Sequence, residues 1–504
     1  MTIASFTFLG FALAVVLIYN CFSSATWRMW VLLLADLAFL STFSHSVSAF
    51  VPLTVFLACG FFAVQAMQRA HKEASYLWII GGTILAFIWL KKYTFLPHDT
   101  FLQFAYTTLG LSYIFFRVMH MIIDSHQGSL NQKVGPLAYL NYTLNFTTLV
   151  SGPIQSYPAF IEQHLAPVRP PLTIIDMGNG LERIVVGFFK VNVVALVLSM
   201  IQNQAINALS SSQPLATRAL TGAIIAATYP VYLYYNFSGY TDIVIGIARF
   251  MRIKLPENFN RPFSTDNFLE FWNHWHMTLS GWLKEYVYNP LLKSLMRRYP
   301  SPRAELSLGV IAFFVTFFLI GIWHGRTSEF LFYGVLLGIG VSVNKLYQVK
   351  MAKSLGKKQY KALANNWMYQ ALCRGLNFTF FAFYLLWFWS TWKDLGKMAN
   401  TLGPSAQLLG WSLIFIVSTI VFRSLAGRSC QRLSCAMGRP ALHLVPLREN
   451  GLRHEPRLRL IGCDGASQYT GSRYRLQGLL NAAASNRSSE SIMLHTHGGS
   501  DRVE

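Results

Sequence analysis

Long apolar runs separated by short polar turns dominate this chain. A helix needs about 20 mainly apolar residues to cross a hydrocarbon layer of about 30 Å. Runs of that kind fall at 2–19, 29–45, 48–67, 76–92, 101–123, 181–204, 216–236, 306–323, 328–346, 369–390 and 408–425. The pattern predicts an all-α polytopic integral membrane protein with about eleven spanning helices. Shorter apolar pieces near 138–152 and 238–251 are expected to be re-entrant or tilted elements packed inside protein, because unpaired backbone cannot face lipid. Between Phe268 and Leu283, the positions of Phe271, Trp272, Trp275, Leu279, Trp282 and Leu283 predict one amphipathic helix. Its tryptophans suit the membrane interface.

The polar turns set the expected orientation. Arg28 follows the first span and Arg69 with Lys72 the third, whereas Ser44–Val47 after the second carries no Lys or Arg. The positive-inside rule then places the N-terminus outside and both basic loops in the cytoplasm. The run of Lys345, Lys350, Lys353, Lys357, Lys358 and Lys361 is assigned inside, as is the proline-broken stretch from Arg249 to Arg303. Lys91 and Lys92 oppose the rule at the outer end of the fourth span, where snorkelling is expected.

Composition sharpens the class. Charged residues are 12% of the chain and AVILMFWYC residues 53%. Soluble domains carry about 25% charged residues, so lipid is the main solvent here. The net charge of +21 lies between apolar runs and in the tail, with no nucleic-acid fold signature, which argues against nucleic-acid binding. The six cysteines form no Cys-x-x-Cys pair, so zinc and redox motifs lack support. The run from Ile3 to Tyr19 has no basic leader and reads as a retained first helix. After Arg423 the chain turns rich in Arg, Ser and Gly, and a mostly disordered cytoplasmic tail is expected.

Candidate chemistry concentrates between Asn236 and Leu291. Asp242, Arg249, Glu257, Asn258, Asn260, Arg261, Glu270, His274, His276, Lys284 and Glu285 crowd a chain that otherwise excludes such groups. Ionisable residues at membrane depth are costly and mark functional candidates. A second stretch, G-I-W-H-G-R-T-S-E-F, puts His324 at the end of an apolar span. A lone histidine there is ordinarily a hydrogen-bonded structural group, yet histidine also matches general-base work near neutral pH. Gly325 permits close backbone approach beside it. No HExxH-like pair exists, and His274 and His276 diverge on a helix, so no metal site is expected.

The motifs F-S-G-Y-T-D (Phe237–Asp242), L-P-E-N-F-N-R-P-F (Leu255–Phe263), F-W-x-x-W-H-x-T-L-S-x-W-L (Phe271–Leu283) and I-W-H-G (Ile322–Gly325) resemble the membrane-bound O-acyltransferase superfamily. The similar branch holds bacterial alginate O-acetylation and D-alanyl transfer proteins. L-S-Y-I-F-F-R (Leu111–Arg117) and S-G-P-I-Q (Ser151–Gln155) resemble it more weakly. The resemblance implies helices around a central tunnel, with its invariant histidine at His324 and its second histidine at His276. It divides the chain into N-terminal helices (1–100), a catalytic core (101–346), C-terminal helices (347–425) and the tail (426–504). Relatives often carry basic residues where this chain has Asn273 and His274.

The resemblance further implies transfer of an acyl group, most simply acetyl, from a thioester such as acetyl-CoA or an acyl-carrier thioester, with no bound cofactor. The acceptor is expected to be an extracytoplasmic polysaccharide, reached through a separate periplasmic acyltransferase, and the location a bacterial inner membrane. Arg249, Arg261, Lys284, Trp275 and Asn258 are candidate donor contacts, with Asp242 and Glu257 expected to pair with those cations. D-alanyl transfer, and a channel or transporter for the donor without chemistry, remain alternatives.

Overall fold

A computed structural model describes residues 1–425 apart from 70–72, 103, 109, 131, 167 and 168. The expected tail at 426–504, and Lys72 of the second basic loop, lie outside the described residues. Four N-terminal helices come first: α1 (Phe6–Asn20), α2 (Ala25–Ser41), α3 (Val51–Arg69) and α4 (Glu73–Leu90). Next are α5 (Leu111–His126), α6 (Pro136–Leu144) and α7 (Tyr157–Leu165). α8 (Ile174–Phe189) continues through a π-helical turn at Lys190–Ala195 into α9 (Leu196–Ala208), and α10 (Leu215–Phe250) packs back along both. The short helices α11 (Phe268–Trp272), α12 (Met277–Leu283) and α13 (Asn289–Arg298) precede a hairpin of α14 (Glu305–His324) and α15 (Ser328–Ser354). α16 (Lys357–Ala364), α17 (Trp367–Trp389) and α18 (Trp392–Leu425) complete the fold, α18 kinking at Gly403. Among the described residues the one β-type pairing is an antiparallel bridge between Phe259 and Trp275.

The all-α membrane architecture matches the apolar pattern, and among the described residues seven helices are long and apolar enough to span. The expected helices at 2–19 and 29–45 appear as α1 and α2, which have 15 and 17 residues. The run 101–123 behaves differently. Its helix begins only at Leu111, because Gly110 adopts a left-handed φ of 72° that stops the helix from extending backwards. A Cβ there would lie 2.8 Å from the Leu149 side chain. Thirteen of the 16 residues of α5 are buried, so it is a core helix rather than a lipid-facing one.

Two further expectations are corrected. The piece 238–251 is not separate: it is the last third of α10, which passes Pro230 and Gly239 without a break. Gly239 is tolerated because its bare backbone lies against Gly187 of α8. The supposed single helix from Phe268 to Leu283 is two, interrupted where His276 takes a φ of 44°. Phe271, Trp272, Trp275, Leu279, Trp282 and Leu283 are all buried in one aromatic cluster. They form protein core, not an interfacial face. The 138–152 piece does pack inside protein: after α6 the chain turns irregular, and Arg117 binds the carbonyls of Tyr142, Thr143 and Thr148 at 3.1, 2.9 and 2.9 Å. Asp36 accepts from the Phe146 N–H at 2.7 Å.

The α14–α15 hairpin is the tightest junction near the candidate site. A Cβ on Gly321 would sit 2.3 Å from the Gly334 Cα, and one on Gly334 would sit 2.6 Å from the Phe318 carbonyl oxygen. Gly334→Val must therefore separate the two helices, at a cost of about 1–3 kcal/mol. Thermal unfolding of the purified variant in detergent should show a lowered midpoint, and an unchanged midpoint would mean that the hairpin tolerates wider spacing.

Candidate active site

An α-helix leaves its last four carbonyls without intrahelical partners. α14 ends at His324 inside the protein, so those carbonyls must find donors there. The turn after α4 supplies donors for two of them and for the backbone just beyond. Lys91 Nζ donates to the Trp323 carbonyl, and Tyr93 Oη donates to that of Ile322 at 2.6 Å. Thr94 donates through both its N–H and Oγ1 to the Arg326 carbonyl, at 3.1 and 3.0 Å. Gly325 backs onto the Phe330 ring so closely that a Cβ would fall 1.9 Å from it. The backbone around His324 is thus held from both sides.

The His324 side chain is left uncommitted. No group hydrogen-bonds its ring among the described residues. Its neighbours are rings: Trp323 at 4.4 Å, Phe388 at 5.0 Å and Tyr333 at 6.0 Å between centroids. Lys91 and His276 are the ionisable groups near enough to act on it. His324 and Trp323 line a cavity of about 550 Å³ together with Phe43, Thr107, Thr108, Gly110, Ser112, Tyr113 and Val150.

His276 is placed by the pairing of two motifs. Met277 N–H donates to the Asn258 carbonyl at 2.9 Å, and Asn260 N–H to the His274 carbonyl at 3.0 Å. Asn258 is fully buried and its Oδ1 accepts from Thr278 Oγ1 at 2.6 Å. Thr278 Oγ1 in turn accepts from the Ile154 N–H at 3.0 Å, which joins the Ser151–Gln155 segment to the same knot. The His276 ring stands 4.8 Å from Phe237 and 6.2 Å from Trp323. It is buried, with neither ring nitrogen hydrogen-bonded among the described residues.

Segments far apart in sequence therefore converge around two histidines, and the comparison with known proteins gives the family. The sequence profile of the membrane-bound O-acyltransferase family matches residues 85–387, more than half of the chain. The chain belongs to the membrane-bound O-acyltransferase family. It is a multi-pass membrane protein and an acyltransferase. Among its relatives is a teichoic acid D-alanyltransferase of Bacillus subtilis, 26% identical over 68% of this chain and 86% of the relative. A probable alginate O-acetylase of Pseudomonas aeruginosa is 26% identical over 48% of this chain and 44% of the relative. A peptidoglycan O-acetyltransferase of Helicobacter pylori is 33% identical over 42% and 38% respectively.

Within this membrane-bound O-acyltransferase the other expected site residues separate. Trp275 is packed among Phe271, Phe381 and Phe259, in the core, because its segment is pinned by the bridge to Phe259. Asn258 acts on the loop that carries His276, as described. Arg249 is half-buried near the end of α10, Arg261 is exposed, and Lys284 is exposed at the start of a π-helical turn. Lys284 borders a smaller cavity of about 180 Å³ with Asn273, Ser280 and Thr316. No ion pair joins these three cations to a carboxylate among the described residues.

Asp242 and Glu257 pair elsewhere than expected. Arg183 Nη2 meets Asp242 Oδ1 at 2.7 Å, Arg183 Nη1 meets Glu257 Oε1 at 2.5 Å, and Lys190 Nζ meets Asp242 Oδ2 at 2.6 Å. The signal for this was present in the sequence: Arg183 and Lys190 are cations inside or beside an apolar span, which demands partners. A second network was also missed. His120 Nε2 accepts from the Tyr157 N–H at 3.0 Å, which leaves the ring proton on Nδ1. That proton goes to Tyr286 Oη at 2.5 Å, and Tyr286 donates to Asp124 Oδ1 at 3.0 Å. The network ties α5 to the π-helical turn at Lys284–Tyr288.

Arg183→Met strips Glu257 of its partner and leaves Asp242 to Lys190 alone. The expected loss is about 1 kcal/mol, mainly from the largely buried Asp242, because Glu257 is half-exposed and regains water, read as a lower unfolding midpoint in detergent. Arg183→Lys should recover only part of it, since one ammonium cannot bridge both carboxylates as the guanidinium fork does.

Proposed function

We propose that this enzyme carries an acyl group, acetyl in the simplest case, from a cytoplasmic thioester to hydroxyls of an extracytoplasmic polysaccharide. The observation that carries the reading is the His324 ring. It ends a membrane-length helix, has no hydrogen-bond partner among the described residues, and lines an open cavity. The distribution of basic loops supports an outer position for that cavity in a bacterial cytoplasmic membrane, since α14 starts after Arg297, Arg298 and Arg303.

In the reaction, His324 accepts the proton of the acceptor hydroxyl as its oxygen attacks the thioester carbonyl. The new C–O bond forms, the C–S bond breaks, and the imidazolium returns the proton to the departing thiolate. His276 orients the thioester on the inner side of His324. Acetyl-CoA or an acyl-carrier thioester is the donor in this reading; where a separate periplasmic acyltransferase completes delivery to the polymer, the hydroxyl attacked at His324 belongs to that partner. One observation favours D-alanyl as the group carried: the match to the Bacillus subtilis D-alanyltransferase extends over 86% of that protein.

Mass spectrometry of surface glycans, comparing wild type with His324→Ala at matched membrane levels, tests the reading and reports the acyl mass. Loss of a general base lowers the rate by about 10²–10⁴-fold, so incorporation should fall close to the background of a deletion strain. Normal incorporation in the variant would remove His324 from the chemistry and favour a transporter of the donor.

A further inference from the structure

The C-terminal ends of α1, α7 and α10 meet at the end of the bundle that the basic loops assign to the cytoplasmic side. Tyr19 Oη of α1 lies 3.0 Å from His164 Nδ1 of α7, and Asn20 Nδ2 donates to the Phe250 carbonyl of α10 at 3.1 Å. Three arginines converge on this junction. Arg28 is fully buried and donates to the carbonyls of Ser23, His164 and Ala166. Arg169 Nη2 donates to the Met251 carbonyl at 2.5 Å and to Asn20 Oδ1 at 3.1 Å, with its guanidinium 5.1 Å from the centre of the Tyr19 ring. The charges of Arg28 and Arg252 both act on it. Among the described residues no carboxylate makes an ion pair with any of the three. A helix C-terminus carries about half a negative charge, so three such ends leave an excess of about 1.5 positive charges.

Arg252 supplies a second observation. It directly follows α10 at a φ of 58°, and the Ile253 N–H closes the turn on the Ala248 carbonyl at 2.8 Å. Glycine is the usual residue there, because a side chain enters this conformation only at a cost. Here the side chain is half-buried, with its Nε buried and unpartnered among the described residues. Strain retained with such a side chain points to a task for it. The setting names the task. The last turns of α1 expose Leu17 and Ile18, Phe22 beyond them is exposed too, and Trp27 Nε1 donates to the Ile18 carbonyl at 2.9 Å. Apolar surface flanked by tryptophan and arginine is where phospholipid headgroups lie. We propose that Arg169 and Arg252, above the buried Arg28, hold the phosphate of an anionic phospholipid of the inner leaflet. A soluble phosphate shares this chemistry, but the apolar face of α1 beside the arginines favours a ligand with acyl chains.

The test is native mass spectrometry of the full chain in neutral detergent micelles that contain equal amounts of phosphatidylglycerol and phosphatidylcholine. Phosphatidylglycerol should be retained about 10-fold or more over phosphatidylcholine. Arg252→Gly should lower that preference about 5-fold, the weight of one arginine near a headgroup. Its unfolding midpoint in lipid-free detergent should be unchanged or raised, because glycine relieves the strained φ. Arg252→Gln, which keeps the strain, should lose the same preference. Lys357→Gln with Lys358→Gln, which removes exposed charge from a basic loop elsewhere, should retain it. Glycerophosphoglycerol and inorganic phosphate should not displace the lipid at equal concentration. Displacement by either would overturn the lipid in favour of a soluble phosphate. Equal retention of the two lipids, an unchanged preference in the Arg252 variants, an equal loss in the lysine pair, or a lowered midpoint of Arg252→Gly would overturn the site itself.

Discussion

The site depends on how one helix end is satisfied away from water. A carbonyl left unpaired in an apolar setting costs several times what a single hydrogen bond contributes in net stability. α14 stops within the protein, and the turn after α4 supplies donors to two of its last carbonyls from Lys91 and Tyr93, while Thr94 holds the Arg326 carbonyl just beyond the helix. Because donors from elsewhere meet the main chain, the terminal histidine is not needed as a cap. Its ring stays available at the cavity wall, and the packing of Gly321 against Gly334 keeps the helix from drifting.

The same constraint explains the buried arginines. Arg117 and Arg28 have no carboxylate partner among the described residues, yet both are buried. Each serves carbonyls instead: Arg117 those of Tyr142, Thr143 and Thr148, and Arg28 those of Ser23, His164 and Ala166. Irregular backbone can exist at this depth because a forked cation reaches several oxygens at once. Arg183 uses the same fork on two carboxylates.

The apolar pattern made the membrane class and most helices legible, since hydrophobic length is a property of each segment alone. It was blind to whether a helix faces lipid or neighbours, which is why α5 read as a span and the Phe268–Leu283 aromatics as interfacial. Breaks set by left-handed residues, at Gly110 and His276, left no periodic trace. In the candidate site, the two histidines stood out because polar groups are rare here. The partners of Asp242 and Glu257 did not, because pairing across helices depends on a packing that no local spacing encodes. Lys91 and Lys92 were visible as an exception to charge topology, though their hold on the α14 end and on Tyr106 was not.

The two main-chain bonds that join Asn258 to Met277 and Asn260 to His274 place His276 without using the side chains of Asn273 or His274. Both of those positions reach solvent. A scaffold stitched through its amides leaves such outlying positions open to substitution while the buried imidazole keeps its station. Asn273 and His274 occupy the place at which this latitude would be spent.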